Sequence, residues 1–387
     1  MSIRNRLVLA ALLVTGLLTA TAGAAEAAPR FPPGDEAYHT YAELTTELHA
    51  IADAHPGIAQ LSTMGKSYQG RELWMLKISD NVATNENEPE MLITGLTHAR
   101  EHLSVEQALA VINWLVDGYG NTQRITDIVN HTELWIVPML NPDGGEWDIR
   151  YGKYHFWRKN RQPTPGSQAI GTDINRNFGY KWGCCGGSSN YPYDIVYRGP
   201  HPFSTPEAAA ERDFVNSRVI GGTQQIKLAL SFHSFGAQIL YPYGYTTQRL
   251  PPDMVPNDRK AMRALATGIG NRNGYRPLQE SHLYITDGTF LDWDYGHARI
   301  LTFTIELAPQ TTSQGGFYPA GKQIGPLTKN NKDALLWFIE QAQCPYDAAG
   351  ITHQCSASST GSGLTSAMLE SAWAWRWMSP SSHPLAE

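Results

Sequence analysis

Three consecutive runs constrain the fold more than any other stretch of this chain. Met91-Leu92-Ile93 reads as a buried strand, Val105 to Val116 carries apolar residues at helical intervals, and Glu133 to Leu140 is again β-rich. Strand, helix and strand with short connections argue a parallel sheet, because parallel neighbours need a crossover helix between them. The same grammar extends outward. Tyr41 to Ala54 has helical spacing in Tyr41, Leu44, Leu48 and Ile51 and is stopped by Pro56-Gly57, while Leu61 to Met64 and Glu72 to Ile78 read as strands joined by a turn at Gln69-Gly70. Pro206 to Val219, Asp258 to Asn273 and Asn330 to Ala342 read as helices, and Leu228 to His233 and Leu301 to Glu306 as strands. The expected class is α/β: three layers, α/β/α, with a central mixed and mostly parallel sheet flanked by helices. At 387 residues and 42% hydrophobic the chain has ample material for such a core. Its formal charge of -6, with signs mixed and no basic stripe, argues against nucleic acid as a partner.

In an open, mostly parallel sheet, ligands collect beyond the carboxyl ends of the strands. Four chemistry-bearing residues fall there: His98 and Glu101 just after the first strand of the unit, His233 at the end of Leu228 to His233, and Glu306 at the end of Leu301 to Glu306. In the His233 strand Leu228, Leu230 and Phe232 share one face, and Ala229, Ser231 and His233 share the other, which leaves space for a ligand. A His-x-x-Glu pair supplies two of the three protein ligands of a catalytic zinc, and His233 would supply the third. Glu306 would then be the free carboxylate that takes a proton from water. Between Gly144 and Pro202 the chain has little periodicity, which in a compact domain marks a functional region, and it holds Trp157-Arg158-Lys159-Asn160-Arg161 and Asp173-Ile174-Asn175-Arg176-Asn177. Asn141-Pro142-Asp143-Gly144 reads as a strong turn.

Taken as an ordered set, these motifs, with Ser231-Phe232-His233-Ser234, Tyr241-Pro242-Tyr243-Gly244-Tyr245, Leu283 to Gly288 and Thr304-Ile305-Glu306, resemble the zinc carboxypeptidases of the carboxypeptidase A and B type, bacterial carboxypeptidase T among them. The resemblance runs from about Tyr38 to Cys355. It implies one zinc ion on His98, Glu101 and His233, with Glu306 as general base and Arg158 stabilising the oxyanion. It implies a clamp of Asn175, Arg176 and Tyr284 for the free carboxylate of a peptide, with Arg100 in the outer groove. The position that separates basic from hydrophobic specificity falls on Leu291. Leu there favours a hydrophobic or aromatic C-terminal residue, although Glu280 and Asp294 lie close in sequence and keep broad specificity, basic residues included, open. The resemblance also matches Tyr38, Glu43, Glu86, Glu90 and Glu133 to structural calcium positions, with Glu36 and Asn85 departing from that pattern.

The ends carry expectations of their own. Arg4 and Arg6, an apolar run from Leu7 to Leu18 and small-residue sites near Ala24 and Ala27 give residues 1–28 the layout of a secretory signal peptide, so the mature protein is expected outside the cell and off the membrane. Residues 29–37 form a short N-terminal segment where relatives carry a folded pro-segment, so either the chain folds without one or the true start lies upstream. The catalytic domain is expected over 38–355, followed by a Ser/Gly-rich flexible tail over 356–387. Four cysteines fit an oxidising compartment, with a local Cys344–Cys355 pair and either a vicinal Cys184–Cys185 bridge or cross-pairing open. The expected protein is a secreted monomer that hydrolyses the C-terminal bond of peptides. An amidase on the same scaffold and a catalytically silent peptide binder are the alternatives.

Overall fold

The computed structural model describes residues 28–356. The expected signal peptide and C-terminal tail therefore lie outside the described residues, apart from their boundary positions. In chain order the strands are β1 (Ala59–Lys66), β2 (Glu72–Ile78), β3 (Glu90–Thr94), β4 (Glu133–Val137), β5 (Val219–Ile220), β6 (Thr223–Gln224), β7 (Ile226–Ser234), β8 (Gln238–Tyr241), β9 (Arg276–Gln279) and β10 (Leu301–Leu307). Eight of them form one sheet in the order β1-β2-β4-β3-β7-β10-β8-β9. Its centre, β4-β3-β7-β10, is parallel throughout, while β1, β2 and β8 join by antiparallel pairings. The expected mixed, mostly parallel sheet is what forms.

The main helices are α1 (Tyr41–Ala54), α2 (Leu103–Gly118), α3 (Gln123–Val129), α4 (Pro142–Asp148), α5 (Pro206–Ser217), α6 (Pro256–Asn273), α7 (Phe290–Ala298), α8 (Ile324–Lys329) and α9 (Lys332–Glu340). One face of the sheet packs Leu228, Leu230 and Phe232 of β7 and Phe303 and Ile305 of β10 against apolar residues of α1, α2, α6 and α9. The other buries Leu92 and Ala229 against α5, α7 and the irregular segment around Ile174 and Phe178. Alternation along β7 and β10 thus sends large aliphatics to one core and leaves Ser231, His233, Thr304 and Glu306 on the opposite face.

Three local differences from the sequence reading have plain causes. β4 ends at Val137 rather than Leu140 because Pro138 has no N–H to give the ladder. Asn141-Pro142-Asp143-Gly144 opens α4 instead of making a free turn: the Asn141 side chain accepts the Gly144 amide at 3.0 Å and Pro142 takes the first turn, where its missing donor costs nothing. α5 stops at Ser217, because Val219 enters a two-stranded ribbon that turns on Gly221 and Gly222, both at positive φ. The four cysteines pair as Cys184–Cys185 and Cys344–Cys355. Among the described residues no helix is long and apolar enough to cross a membrane.

The second core contains a polar liability. Glu211 of α5 and Asp294 of α7 are fully buried, and all four of their carboxylate oxygens lack a hydrogen-bond partner. Burial pushes Glu211 up to about 8 from 4.5, and burial followed by the charge of Glu211 pushes Asp294 well above its usual range. A raised folded-state pKa means that the native protein holds its proton where the unfolded chain has lost it. The stability from neutral Glu211 is therefore complete below about pH 4.5 and is lost as pH rises through about 8. Glu211→Leu removes the group that must ionise. It is expected to raise the melting temperature by roughly 5 °C more at pH 8.5 than at pH 5 in differential scanning calorimetry. An equal shift at both pH values would show that Glu211 is not held neutral.

Candidate active site

The site is assembled at the carboxyl ends of β3, β7 and β10. After β3 the chain turns sharply: Leu96 adopts φ 48, and a side chain at Gly95 would collide with the carbonyls of Pro138 and Ser104. Ser104 then ties the turn together, its hydroxyl accepting from the Leu96 amide at 2.8 Å and donating to the Glu101 carbonyl at 2.6 Å. This places His98 and Glu101 side by side at the mouth of α2. His233 arrives from β7, and the parallel register of β10 against β7 sets Glu306 directly across from it.

His98, Glu101 and His233 are all buried and present donor atoms within 4.8 Å of one another. The Nδ1 atoms of His98 and His233 lie 2.9 Å from the two oxygens of Glu101 and 3.0 Å from each other. Two imidazoles and one carboxylate aimed at a common point are the donor set a divalent zinc accepts, so the residues fit that ion. The electrostatics agree. Burial works to raise Glu101, yet His98 and His233 outweigh it and hold the carboxyl well below its usual range. Burial, and then Arg158, lower His98, whereas Glu101 outweighs burial at His233 and raises it. Glu306, partly open to solvent, is pushed up to about 8 by burial first and the Glu101 charge second.

Behind this cluster stands Asp173, whose role the sequence reading did not assign. One oxygen lies 3.3 Å from His98 Nε2, and the other accepts from Arg158 Nε at 2.9 Å. The first also caps the short turn Ile174–Arg176 through the Asn175 amide at 3.0 Å. Burial acts to raise Asp173, but Arg158 and then His98 outweigh it and keep it ionised. In return the Asp173 charge overcomes the burial of Arg158 and keeps its guanidinium charged. A carboxylate two positions before Asn175-Arg176 is visible in the sequence; that it reaches back to His98 is not.

Asn175 and Arg176 are buried beside this network. Arg176 donates through Nε to the Gly187 carbonyl at 3.0 Å and through one terminal nitrogen to the Asn175 carbonyl at 2.6 Å, and Asn175 Oδ1 accepts the Phe290 amide at 3.0 Å. Arg176 and the exposed Tyr284 line one open cleft with Gly187, Ser188 and Arg198. Arg100 lies 4.0 Å above the Phe317 ring. Leu291 is buried in the second core next to Asp292, which accepts the amides of Gly244 and Tyr245 at 2.8 and 3.0 Å. His102, which the sequence left without a role, pairs with Asp148 at 3.0 Å.

The five residues matched to calcium positions do not come together as one shell. Tyr38 donates to the Pro319 carbonyl at 2.7 Å, and Glu43 closes the capping box of α1 with Thr40. Glu90 is gripped by Arg218, with Nε 2.8 Å from one oxygen, and Glu133 pairs with Lys77 at 3.0 Å and accepts the Glu86 amide at 2.7 Å. Glu86 instead joins Asp80 and Glu88 in a largely solvated acidic group. Two of the five are thus neutralised by the protein's own cations, and calcium finds no support.

Known proteins resemble this chain over most of its length. The family model described as zinc carboxypeptidase matches residues 44–334. A zinc carboxypeptidase from Saccharothrix mutabilis subsp. capreolus is 46% identical over 323 residues, covering 81% of this chain and 71% of that protein. Carboxypeptidase A1 of Sus scrofa is 30% identical over 306 residues, covering 78% and 70%. Among solved structures, thrombin activatable fibrinolysis inhibitor superposes with a TM-score of 0.71 at 26% identity, covering 79% of this chain and 74% of that one. Carboxypeptidase A from Helicoverpa armigera gives 0.68 at 25% identity, covering 82% and 75%.

Proposed function

Since the chain belongs to the zinc carboxypeptidase family and is a metallocarboxypeptidase acting on peptide C-termini, we propose that it works outside the cell, as a monomer, through the residues gathered at the ends of β3, β7 and β10. The observation that carries this reading is the convergence of buried His98, Glu101 and His233 with Glu306 in register beside them. These three would hold one zinc ion, which supplies Lewis acidity toward the scissile carbonyl and lowers the pKa of an adjacent water.

The chain's own residues do the rest. Glu306 takes the proton of the attacking water and returns it to the leaving amine. Arg158, kept charged and aimed by Asp173, stabilises the oxyanion. Arg176 is held by two backbone carbonyls, so its remaining N–H donors meet the terminal carboxylate of the peptide without a large ordering cost. Asn175 sits beside it, and Tyr284, exposed at the rim of the cleft, covers the bound end. Arg100 contacts residues upstream of the scissile bond. Leu291 supports a preference for hydrophobic and aromatic C-terminal residues.

Release of free amino acid from a panel of N-blocked dipeptides, with and without a chelator and with zinc restored, tests this reading. Chelator-sensitive release, fastest for Phe and Leu, is the expected result. Cleavage confined to amide substrates lacking a free carboxylate would favour an amidase, binding without release would favour a silent binder, and either would overturn the proposal.

A further inference from the structure

Three acidic residues lie in or beside the segment that contains Leu291, and the structure separates them. Asp292 is committed to the amides of Gly244 and Tyr245. Asp294 is buried on the far side, where Glu211 is the charge that perturbs it. Glu280 differs from both. It sits on the short turn Glu280–His282, just before the Tyr284 segment, and only 7% of its surface is exposed. Its Oε2 is buried without a hydrogen-bond partner.

This carboxylate sits beside Gly244 and Thr286, just before the Tyr284 segment that lines the cleft with Arg176. A Cβ at position 244 would stand 2.5 Å from Glu280 Oε2 and would collide with the Thr286 hydroxyl. Gly244 therefore leaves open the space in which the carboxylate sits, and the Thr286 amide bonds the Gly244 carbonyl at 3.1 Å. Burial raises Glu280, and the Arg176 charge, then the adjacent Thr286 hydroxyl, then His233 oppose it; Glu280 in turn perturbs Glu306, Tyr284 and Asp292. Glu280 therefore lies within electrostatic range of the clamp, the base and a metal-site histidine. Once Arg176 holds the terminal carboxylate of a peptide, the side chain of that last residue enters the recess beside it. A desolvated acid whose adjacent polar neighbour is a single hydroxyl gains from a cationic partner there.

We propose that Glu280 is a specificity-determining residue, the counter-ion that lets this pocket accept a C-terminal Lys or Arg alongside the hydrophobic residues favoured by Leu291. The inference rests on the carboxypeptidase reading above and concerns only which side chain is taken. A long cationic side chain would lay its methylenes along the apolar wall and bring its charged head to Glu280 Oε2. Apolar side chains fill the same wall without engaging the carboxyl, so two substrate classes share one recess.

The test compares wild type, Glu280→Gln and Glu280→Asp. Steady-state kcat/KM is measured on N-blocked dipeptides ending in Lys, Arg, Phe and Leu, and calorimetric binding of N-acetyl-lysine and N-acetyl-phenylalanine provides a readout independent of turnover. In wild type, Lys and Arg substrates are expected to be cleaved as well as Phe. In Glu280→Gln the Lys/Phe ratio of kcat/KM is expected to fall by at least ~30-fold, with N-acetyl-lysine binding weakened in parallel, because a desolvated cation has lost its partner. Glu280→Asp keeps the charge and is expected to retain most of the ratio. Because the readout is a ratio within one protein, partial loss of folded enzyme does not affect it. Wild-type release of Phe but not Lys or Arg would overturn the assignment while leaving the carboxypeptidase reading intact, as would an unchanged ratio in Glu280→Gln. No release from any member of the panel would overturn both.

Discussion

Glu306→Gln is expected to lower kcat/KM on an N-blocked dipeptide ending in Phe by about 10³-fold, with KM changed by no more than a few-fold. Gln is nearly isosteric with Glu and keeps the place in β10 opposite His233, so binding of the peptide and of zinc should persist. What disappears is the proton acceptor. The burial that raises Glu306 above the usual carboxylate range also makes it a better base than a solvated carboxylate once it is ionised. Zinc content by mass spectrometry, equal in both proteins, separates loss of the base from loss of the ion. A fall of less than about tenfold would assign proton transfer elsewhere.

Asp173→Asn is the second large effect, and it acts at a distance from substrate. Asp173 serves His98 Nε2 with one oxygen and Arg158 with the other. An amide can offer an acceptor to only one of them, so its NH₂ must face either an imidazole N–H or a guanidinium, donor against donor. Zinc affinity is expected to drop about 10- to 100-fold, since the partner behind a ligating histidine fixes its tautomer and orientation. A further loss in kcat at saturating zinc is expected because Arg158 is no longer aimed at the oxyanion. Competition against a chromophoric chelator measures the first, and steady-state kinetics with zinc in excess the second. Affinity and kcat both within twofold of wild type would show that Asp173 only caps its own turn.

Much of the site was readable from the chain because each piece is local. His98 and Glu101 share one turn after a strand, and the alternation of β7 and β10 puts His233 and Glu306 on the faces opposite the large aliphatics. Elements with strong periodicity, such as α1 with its capping box, appear where the spacing places them. The misses are short or Pro-containing pieces. β9 includes Pro277, tolerated because β9 is the edge strand of the sheet, and α7 is nine residues of mixed polarity whose burial on every turn hides any amphipathic stripe.

The sequence by itself determined the layering of the fold and which residues could carry chemistry, because hydrophobic period and residue type are properties of neighbours along the chain. Only the tertiary structure decided which charges meet. Asp173 bridges His98 and Arg158 across separations of 75 and 15 residues. Arg218 neutralises Glu90 where a cation site was expected, and Glu280, not Asp292 or Asp294, is the acid of that region that interacts electrostatically with Arg176 and Glu306. Those outcomes depend on strand register and on the desolvation of each carboxylate once the cores close, quantities that arise from contacts between distant segments and have no local trace in the chain.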